Sequence, residues 1–392
     1  MKITYIHQHF VLPTEAGGSR PYEFARRMAD QGHTVTMVCG GQESMDAVVD
    51  GIHVKRLHTP YKNAMSSAER IRSFIRFMVK SSYVAARTDA DVIYASSTPL
   101  TVAVPGIVGK FARRVPMVFE VRDLWPSVPI ELGYLNNPVF VWMARLLEKL
   151  AYKNSATVVA LSPGMRDGVL EVTPEKEVVV IPNACDFERF DKSTQQRQDF
   201  RDSQGWTEDE SVVVYAGGLG PSYQTEWIVE LAAELRDSTM RFIILGQGKD
   251  SEKLHQLAVQ RGLDPEQILL GEKSKEEVSD FVSAGDIVMS TLLDKPSLQA
   301  NSLNKVFDGL SAGRPIVLNH KGWLTEAVVE ANAGLALDRS IPKAAAQLRE
   351  YVADPATLEE AGKNSAALGR SRFDRNELFQ SVMQVLEKAV KA

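Results

Sequence analysis

Residues 178–224 read VVVIPNACDFERFDKSTQQRQDFRDSQGWTEDESVVVYAGGLGPSYQ, and the fold follows from this stretch. An apolar run, VVVIPN (178–183), closes one series of elements. A polar and charged stretch, 187–210, comes next and reads as a linker joining two domains. A second apolar run, VVVYAG (212–217), then ends in glycines. Upstream, short apolar runs recur at ITYIHQHF (3–10), TVTMVC (34–39), IHVKRL (52–57), DVIYAS (91–96), PMVFEV (116–121) and TVVALS (157–162). Between most of them lie segments with apolar residues at helical spacing, such as Tyr22, Phe24, Ala25 and Met28. Downstream the alternation resumes with RFIILG (241–246), QILLG (267–271), DIVMST (286–291), RPIVLN (314–319) and GLALD (334–338). Short strands alternating with amphipathic helices imply stacked βαβ units and a mostly parallel, doubly wound sheet. The expectation is an α/β protein of two Rossmann-like domains. The first spans 1–186 and the second begins at 187.

The bulk numbers agree and narrow the function. A chain of 392 residues is too long for one ordinary core. Hydrophobic content of 44% and charged content of 24% are those of a globular chain. Cys39 and Cys185 stand far apart with no CxxC, so neither a disulfide framework nor a zinc ribbon is expected. The seven histidines form no HExxH, and a metal site is not expected. No run approaches the ~20 apolar residues of a membrane span, and MKITYIHQHF has no leader pattern, so a cytoplasmic location is expected. Residues 1–186 carry 21 Lys and Arg against 18 Asp and Glu, leaving 24 against 32 in the remainder. The basic residues are dispersed and form no reader motif, which excludes nucleic acid as a partner.

Four stretches carry candidate chemistry. Gly17 and Gly18 lie in a turn between the first strand and a helix that Ser19 can cap and Pro21 can stiffen. Such a turn suits an anion or a closely approaching ligand, although a plain tight turn fits equally. Its spacing is not the GxGxxG dinucleotide fingerprint. In FEVRDLWPSV (119–128), Arg122 and Asp123 end a strand where open α/β sheets bind ligands. Asp123 can serve there as a base or orienting carboxylate, or simply pair with Arg122. In VVVYAGGLGPSYQ (212–224), Gly218 and Gly220 let a backbone approach a diphosphate. Gly246 and Gly248 form a second such turn after the next strand. In QANSLNKVFDGLSAGRPIVLNH (299–320), a helix beginning near Leu303 or Asn304 would bring its amides and Lys305 onto a phosphate. Ser302 belongs to the loop that feeds this helix. Asp308 shares the Lys305 face, where a carboxylate suits the vicinal hydroxyls of a ribose; a solvent-facing i,i+3 pair is the alternative.

Taken together, the GGSR turn, FEVRDLWP, VVYAGGLG and KVFDGLSAGRPI resemble family-4 glycosyltransferases of the GT-B fold. The likeness is strongest to the bacterial branch that builds capsule, O-antigen and exopolysaccharide repeats. IPNACDFERF (181–190) resembles that family's interdomain segment. The last helix resembles the one that crosses back to the first domain, which sets the second domain at 187–373 and the returning helix at 374–392. The resemblance implies two domains facing across a cleft and retaining transfer of a hexosyl or N-acetylhexosaminyl group from a UDP- or GDP-sugar, UDP being favoured. It further implies a saccharide or polyprenyl-linked acceptor, no cofactor and no essential metal. Catalysis would fall to Asp123, Arg122 and Lys305. Donor binding would fall to Gly17, Gly18, Gly218, Gly220, Gly246, Gly248, Ser302, Leu303, Asn304 and Asp308. Asp308 matches the second carboxylate of the family's E-x7-E motif, whereas Ala300 stands where the first should be. The family's Arg and Lys after the GGLG-like turn are replaced by Pro221, Ser222, Tyr223 and Gln224. Arg122 and Lys305 then remain to offset the diphosphate charge.

One segment bears on the acceptor. ERIRSFIRFMVKSSYVAAR (69–87) interleaves Arg70, Arg72, Arg76, Lys80 and Arg87 with Ile71, Phe74, Ile75, Phe77 and Met78. A basic amphipathic helix of this kind suits the anionic inner face of a membrane, and a core-facing helix with a solvated basic face suits the pattern too. Two rival functions share the architecture: a nucleotide-sugar 2-epimerase, and a non-catalytic scaffold subunit of a polysaccharide assembly complex.

Overall fold

A computed structural model describes residues 1–13, 15, 20–61 and 65–392. The predicted turn residues Gly17 and Gly18, with Ser19, lie outside the described residues. The chain divides into two compact units, Met1–Pro182 with Ala300–Ser302 and Asn376–Ala392, and Asn183–Gln299 with Leu303–Arg375. These limits differ by a few residues from the 186/187 and 373/374 read from the sequence.

The first unit is built on an eight-stranded sheet. Its strands are β1 (Lys2–Ile6), β2 (Thr34–Gly41), β3 (Met45–Val49), β4 (Ile52–His58), β5 (Val92–Ser96), β6 (Met117–Val121), β7 (Thr157–Ala160) and β8 (Val178–Val180). They are ordered β3-β4-β2-β1-β5-β6-β7-β8, and all pairs are parallel except β3 with β4. Buried on both faces, β5, β6 and β7 are near-continuous apolar runs, as parallel strands require. Chain order reverses between β1 and β5, so the crevice that binds ligands in open sheets lies at their carboxyl ends.

One face of this sheet packs on the helix Arg20–Asp30 and the terminal helix Arg375–Lys391, through Phe24, Met28, Phe379, Val382 and Leu386. The other face carries the helices Ser67–Arg87, Ala103–Arg113 and Pro138–Asn154. The basic segment 69–87 therefore lies in a helix that Ser66 and Glu69 start with a reciprocal capping box. Its two sides differ. Phe77 and Ala85 are buried in the core, while Ile71, Ile75, Val79 and Tyr83 stand exposed beside the cations.

The second unit has six parallel strands, β9 (Ser211–Ala216), β10 (Met240–Leu245), β11 (Leu269–Gly271), β12 (Ile287–Ser290), β13 (Ile316–Leu318) and β14 (Gly334–Ala336). Their order is β11-β10-β9-β12-β13-β14, with the reversal between β9 and β12. Trp227, Leu231, Leu254, Ala344 and Leu348 fill one side of this sheet.

Two local expectations are corrected. The polar stretch 187–210 is no bare linker: it forms the helices Phe187–Phe190 and Thr194–Ser203 inside the second unit. Ser193 and Gln196 make a capping box there, and Phe190 and Trp206 supply enough buried apolar surface to dock the segment. Strand β3 was not anticipated. It pairs antiparallel with β4 across Asp50 and Gly51, both at positive φ (48° and 76°), the backbone a two-residue hairpin turn demands.

Candidate functional site

At the first unit's switch point, His7 follows β1, Ser97 follows β5, and Arg122 and Asp123 follow β6. The His7 Nδ1–H donates to the Ser96 carbonyl (3.0 Å), which leaves Nε2 to accept from Arg122 Nη1 (3.2 Å). Burial, with Arg122 adding to it, pushes the imidazole down to about 3, so His7 is neutral and orients the guanidinium. The Arg122 amide donates to Ser97 Oγ at 3.0 Å. Thus Arg122 is spent on His7, and the Arg122–Asp123 ion pair weighed from adjacency does not form. Burial raises the Asp123 carboxyl to about 6, opposed by Arg122, and no hydrogen bond or ion pair holds it among the described residues. A carboxylate in this state is suited to exchanging a proton or orienting a hydroxyl near neutral pH.

Within β6, three positions earlier, lies a second carboxylate of opposite character. Glu120 on β6 is wholly buried, and its Oε1 accepts from Arg20 Nε (3.0 Å), Arg20 Nη2 (2.8 Å) and Tyr94 Oη (2.6 Å). Its Oε2 accepts from Ser96 Oγ at 2.6 Å. Arg20 also donates to the carbonyls of Ile181 and Pro182. Burial alone would raise Glu120, but Arg20 and Arg122 with these donors hold it at about 2. This network ties the first turn of the helix Arg20–Asp30 to β5, β6 and the end of the strand region at 181–182.

In the second unit the helix Asn304–Ser311 starts at the position read from the sequence, with Leu303 as its cap residue. Its first turn buries Lys305, whose Nζ donates to Tyr215 Oη at 3.1 Å. The ammonium lies 4.3 Å from the centre of the Tyr215 ring and 4.4 Å from that of Tyr223. Tyr215 Oη in turn donates to the Gly218 carbonyl at 2.9 Å. Gly217 makes room for this cation, since a Cβ there would stand 2.9 Å from Lys305 Cε. Burial pushes Lys305 down to about 7, with Asp308 opposing. Asp308, half-buried, is pushed up to about 7 by burial and then by Asp186, although Arg189, Arg375 and Lys305 pull it down. The Asp186 charge is itself taken up by Arg189 (3.0 Å) and Arg375 (2.9 Å). No hydrogen bond reaches the Asp308 carboxyl among the described residues.

The two glycine turns lie against each other. The Leu219 amide donates to the Gln247 carbonyl (3.1 Å) and the Asp250 amide to the Leu219 carbonyl (3.1 Å). Gly246, at φ +139°, has its amide on the Gly271 carbonyl, and a Cβ there would meet the Gly217 carbonyl at 1.8 Å. A Cβ at Gly248 would meet the Leu219 carbonyl at 2.0 Å, and its amide donates to Ser251 Oγ. Those two glycines are therefore required by the packing of one turn on the other. Gly220, by contrast, faces open space.

Two family models match the chain, one described as "Glycosyl transferase 4-like domain" over residues 17–184 and one as "Glycosyl transferases group 1" over 196–367. This chain is a family-4 glycosyltransferase of the GT-B fold. Among curated relatives, the alpha-D-kanosaminyltransferase of Streptomyces kanamyceticus is 23% identical over 66% of this chain and 67% of its own length. The putative colanic acid biosynthesis glycosyl transferase WcaI of Escherichia coli (strain K12) is 28% identical over 31% of this chain and 30% of its own. The structure of Anabaena Alr3699/HepE in complex with UDP and glucose superposes with a TM-score of 0.76 at 19% identity, covering 99% of this chain and 100% of that one. At that identity the superposition speaks for the fold. A glycosyltransferase of this family acts on nucleotide sugars.

The structure splits the remaining candidates. Leu303 and Asn304 belong to the second unit, Ser302 to the first. Asn304 is exposed and Leu303 buried. Sequence reasoning missed Tyr215 and Tyr223, the cage of this glycosyltransferase's Lys305, although the inward position of Tyr215 on VVVY was a signal. It also missed Arg20, Glu120, Tyr94 and His7. An Arg and a Glu a hundred positions apart leave no local trace. A charged Glu120 inside an otherwise apolar strand was the available warning.

Proposed function

We propose that this glycosyltransferase transfers a hexosyl or N-acetylhexosaminyl group from UDP-sugar with retention of configuration and without a divalent metal. The acceptor in this reading is a saccharide or polyprenyl-linked saccharide in surface polysaccharide synthesis. The observation that carries the donor assignment is Lys305, a buried ammonium caged by two tyrosines and in no ion pair with a carboxylate among the described residues. A leaving diphosphate is the counter-charge such a group lacks, and a preorganised cation stabilises that charge as it develops. Asp308 takes the ribose hydroxyls, and Gly218 and Gly220 allow the phosphates close to the backbone. The relative with UDP bound and the relative named for colanic acid biosynthesis support UDP and surface polysaccharide respectively.

Asp123 orients the acceptor hydroxyl. The hydroxyl attacks on the face from which the diphosphate departs, without a covalent enzyme intermediate. A phosphate oxygen takes its proton. The helix Ser67–Arg87 holds the enzyme at the inner face of a membrane, where lipid-linked acceptors reside.

The deciding experiment offers UDP- and GDP-sugars with saccharide acceptors, with and without excess EDTA, and reads the product's anomeric configuration by NMR. Retention from a UDP-sugar at an unchanged rate in EDTA supports the reading. Inversion, a rate restored only by Mn²⁺ or Mg²⁺, or a new nucleotide sugar formed from donor alone overturns it.

A further inference from the structure

On one face of the first unit's sheet, the helix Ala103–Arg113 packs against both Ser67–Arg87 and Pro138–Asn154. The last of these is anomalous. It buries Glu148, Ala151 and Tyr152, yet its outward stripe is Val139, Trp142, Met143, Leu146 and Leu150, and Trp142 is 64% exposed. A surface helix normally turns its polar residues outward. The apolar character continues onto the neighbours, with Phe111 at 64% exposure and Tyr83 at 61%. Exposed apolar residues gathered on adjoining helices in this way mark an interaction site.

The charge around it selects the partner. The helix Ser67–Arg87 carries five basic residues and one acid, and residues 103–114 carry three basic residues and no acid. Pro138–Asn154 adds Arg145, Lys149 and Lys153 against Glu148, which is buried and bridged to Arg145 at 3.1 Å. The exposed aromatics carry cations: Arg87 lies 3.6 Å from the Tyr83 ring centre and Lys110 5.4 Å from that of Phe111. Apolar stripe, aromatic rings and surrounding cations together match an anionic bilayer surface. No helix among the described residues is long and apolar enough to cross a membrane, so the contact lies in the interface plane.

We propose that Pro138–Asn154 is the inserting element of a bilayer-docking face, with Trp142 and Met143 entering the acyl boundary. The cations of the three helices rest on anionic headgroups. The inference rests on the membrane reading above and deepens it, moving the apolar anchor from 69–87 to a helix that the charge pattern does not reveal.

Trp142 reports on itself, because Trp206 and Trp227 are buried and Trp125 and Trp323 are half-buried. The protein is mixed with vesicles of phosphatidylcholine alone or with one part phosphatidylglycerol to two of phosphatidylcholine. Sedimentation and tryptophan quenching by brominated acyl chains are read. Binding to the anionic vesicles with quenching is expected, and Trp142→Glu should weaken it at least about tenfold with an unchanged melting temperature. If wild type and Trp142→Glu bind alike without quenching, while Arg72→Glu/Arg76→Glu abolishes binding, this inference falls and the reading of 69–87 stands. If wild type fails to bind yet transfers sugar to a soluble acceptor, both fall. A Trp142-dependent dimer in solution without vesicle binding would replace the bilayer by a second copy of the chain.

Discussion

The carboxyl edges of the two sheets both hold buried charge, and they treat it in opposite ways. In the first unit Glu120 accepts four hydrogen bonds and faces Arg20 at 2.8 Å, so it is held at about 2. In the second unit Lys305 has two tyrosine rings and one hydroxyl, and Asp308 shares its helix face. Both are pushed to about 7. A charge whose partners are all present belongs to the scaffold. A charge left incomplete by its own protein is a place for a ligand. Asp123 stands beside the first kind but belongs to the second, because Arg122 has been diverted to His7.

The largest effect that can break this division is on Asp123. Asp123→Asn keeps the size and removes the charge. Fold and donor affinity should persist, while transfer falls by ~10²–10⁴-fold. The same carboxyl, at about 6 in the folded protein, should make the rate of the unmodified enzyme fall as pH drops through 6. Near-normal transfer by the folded variant would return Asp123 to the scaffold.

Glu120→Gln tests the opposite class. It leaves the Arg20 guanidinium buried without its counter-charge, which should lower stability by about 3–5 kcal/mol. Activity per folded molecule should hold, because both Glu120 oxygens are taken up within the protein by Arg20, Tyr94 and Ser96. Denaturant unfolding and active-site titration on one preparation read both quantities. A variant as stable as the parent would mean that Glu120 is not scaffold.

Lys305→Ala sharpens the comparison because its two effects have different signs. Removing a desolvated cation with no carboxylate partner should leave the free protein's stability unchanged or raised. Nucleotide-sugar affinity should fall by about 1.5–3 kcal/mol. If stability and affinity fell together, Lys305 would behave like Glu120, and the division would collapse.

Much of this was legible in the sequence, for physical reasons that vary by element. Strands buried on both faces write themselves as apolar runs, which is why β1, β2, β5 to β7, β9, β10, β12 and β13 stand where the runs do. Strand β3 was missed because MDAVV is short and half-exposed, although the Asp50–Gly51 turn signalled a hairpin. The candidate site was legible only at strand ends and helix starts, which is where Asp123, Lys305 and Asp308 stand. Tertiary partnership was not. No periodicity announces that Tyr223 closes over Lys305, or that Arg20 reaches Glu120. The apolar stripe of Pro138–Asn154 reads in sequence as an ordinary core helix, and only the fold shows that its outward face is left uncovered.

The smallest predicted effect is also the most discriminating, because it follows both incomplete charges at once. For the UDP-sugar proposed above, the diphosphate does not titrate between pH 6 and 9, so pH dependence across neutrality belongs to the protein. In the free protein Lys305 titrates near 7. Below that pH the ammonium is already present, and binding draws no proton to it. Above it the ammonium must be regained on binding, so affinity should fall by up to about tenfold per pH unit, or 1.36 kcal/mol. Asp308 works in the other direction. Also near 7 when free, it must ionise to accept the ribose hydroxyls fully, so its contribution weakens as pH falls below 7. Affinity should therefore peak near neutrality, with proton release on binding on the acid side and proton uptake on the alkaline side. Calorimetry in buffers of different ionisation enthalpy measures both. Lys305→Ala should flatten the alkaline limb alone, and Asp308→Asn the acid limb alone. A flat affinity from pH 6 to 9 in the unmodified protein would show that neither charge is completed by the donor.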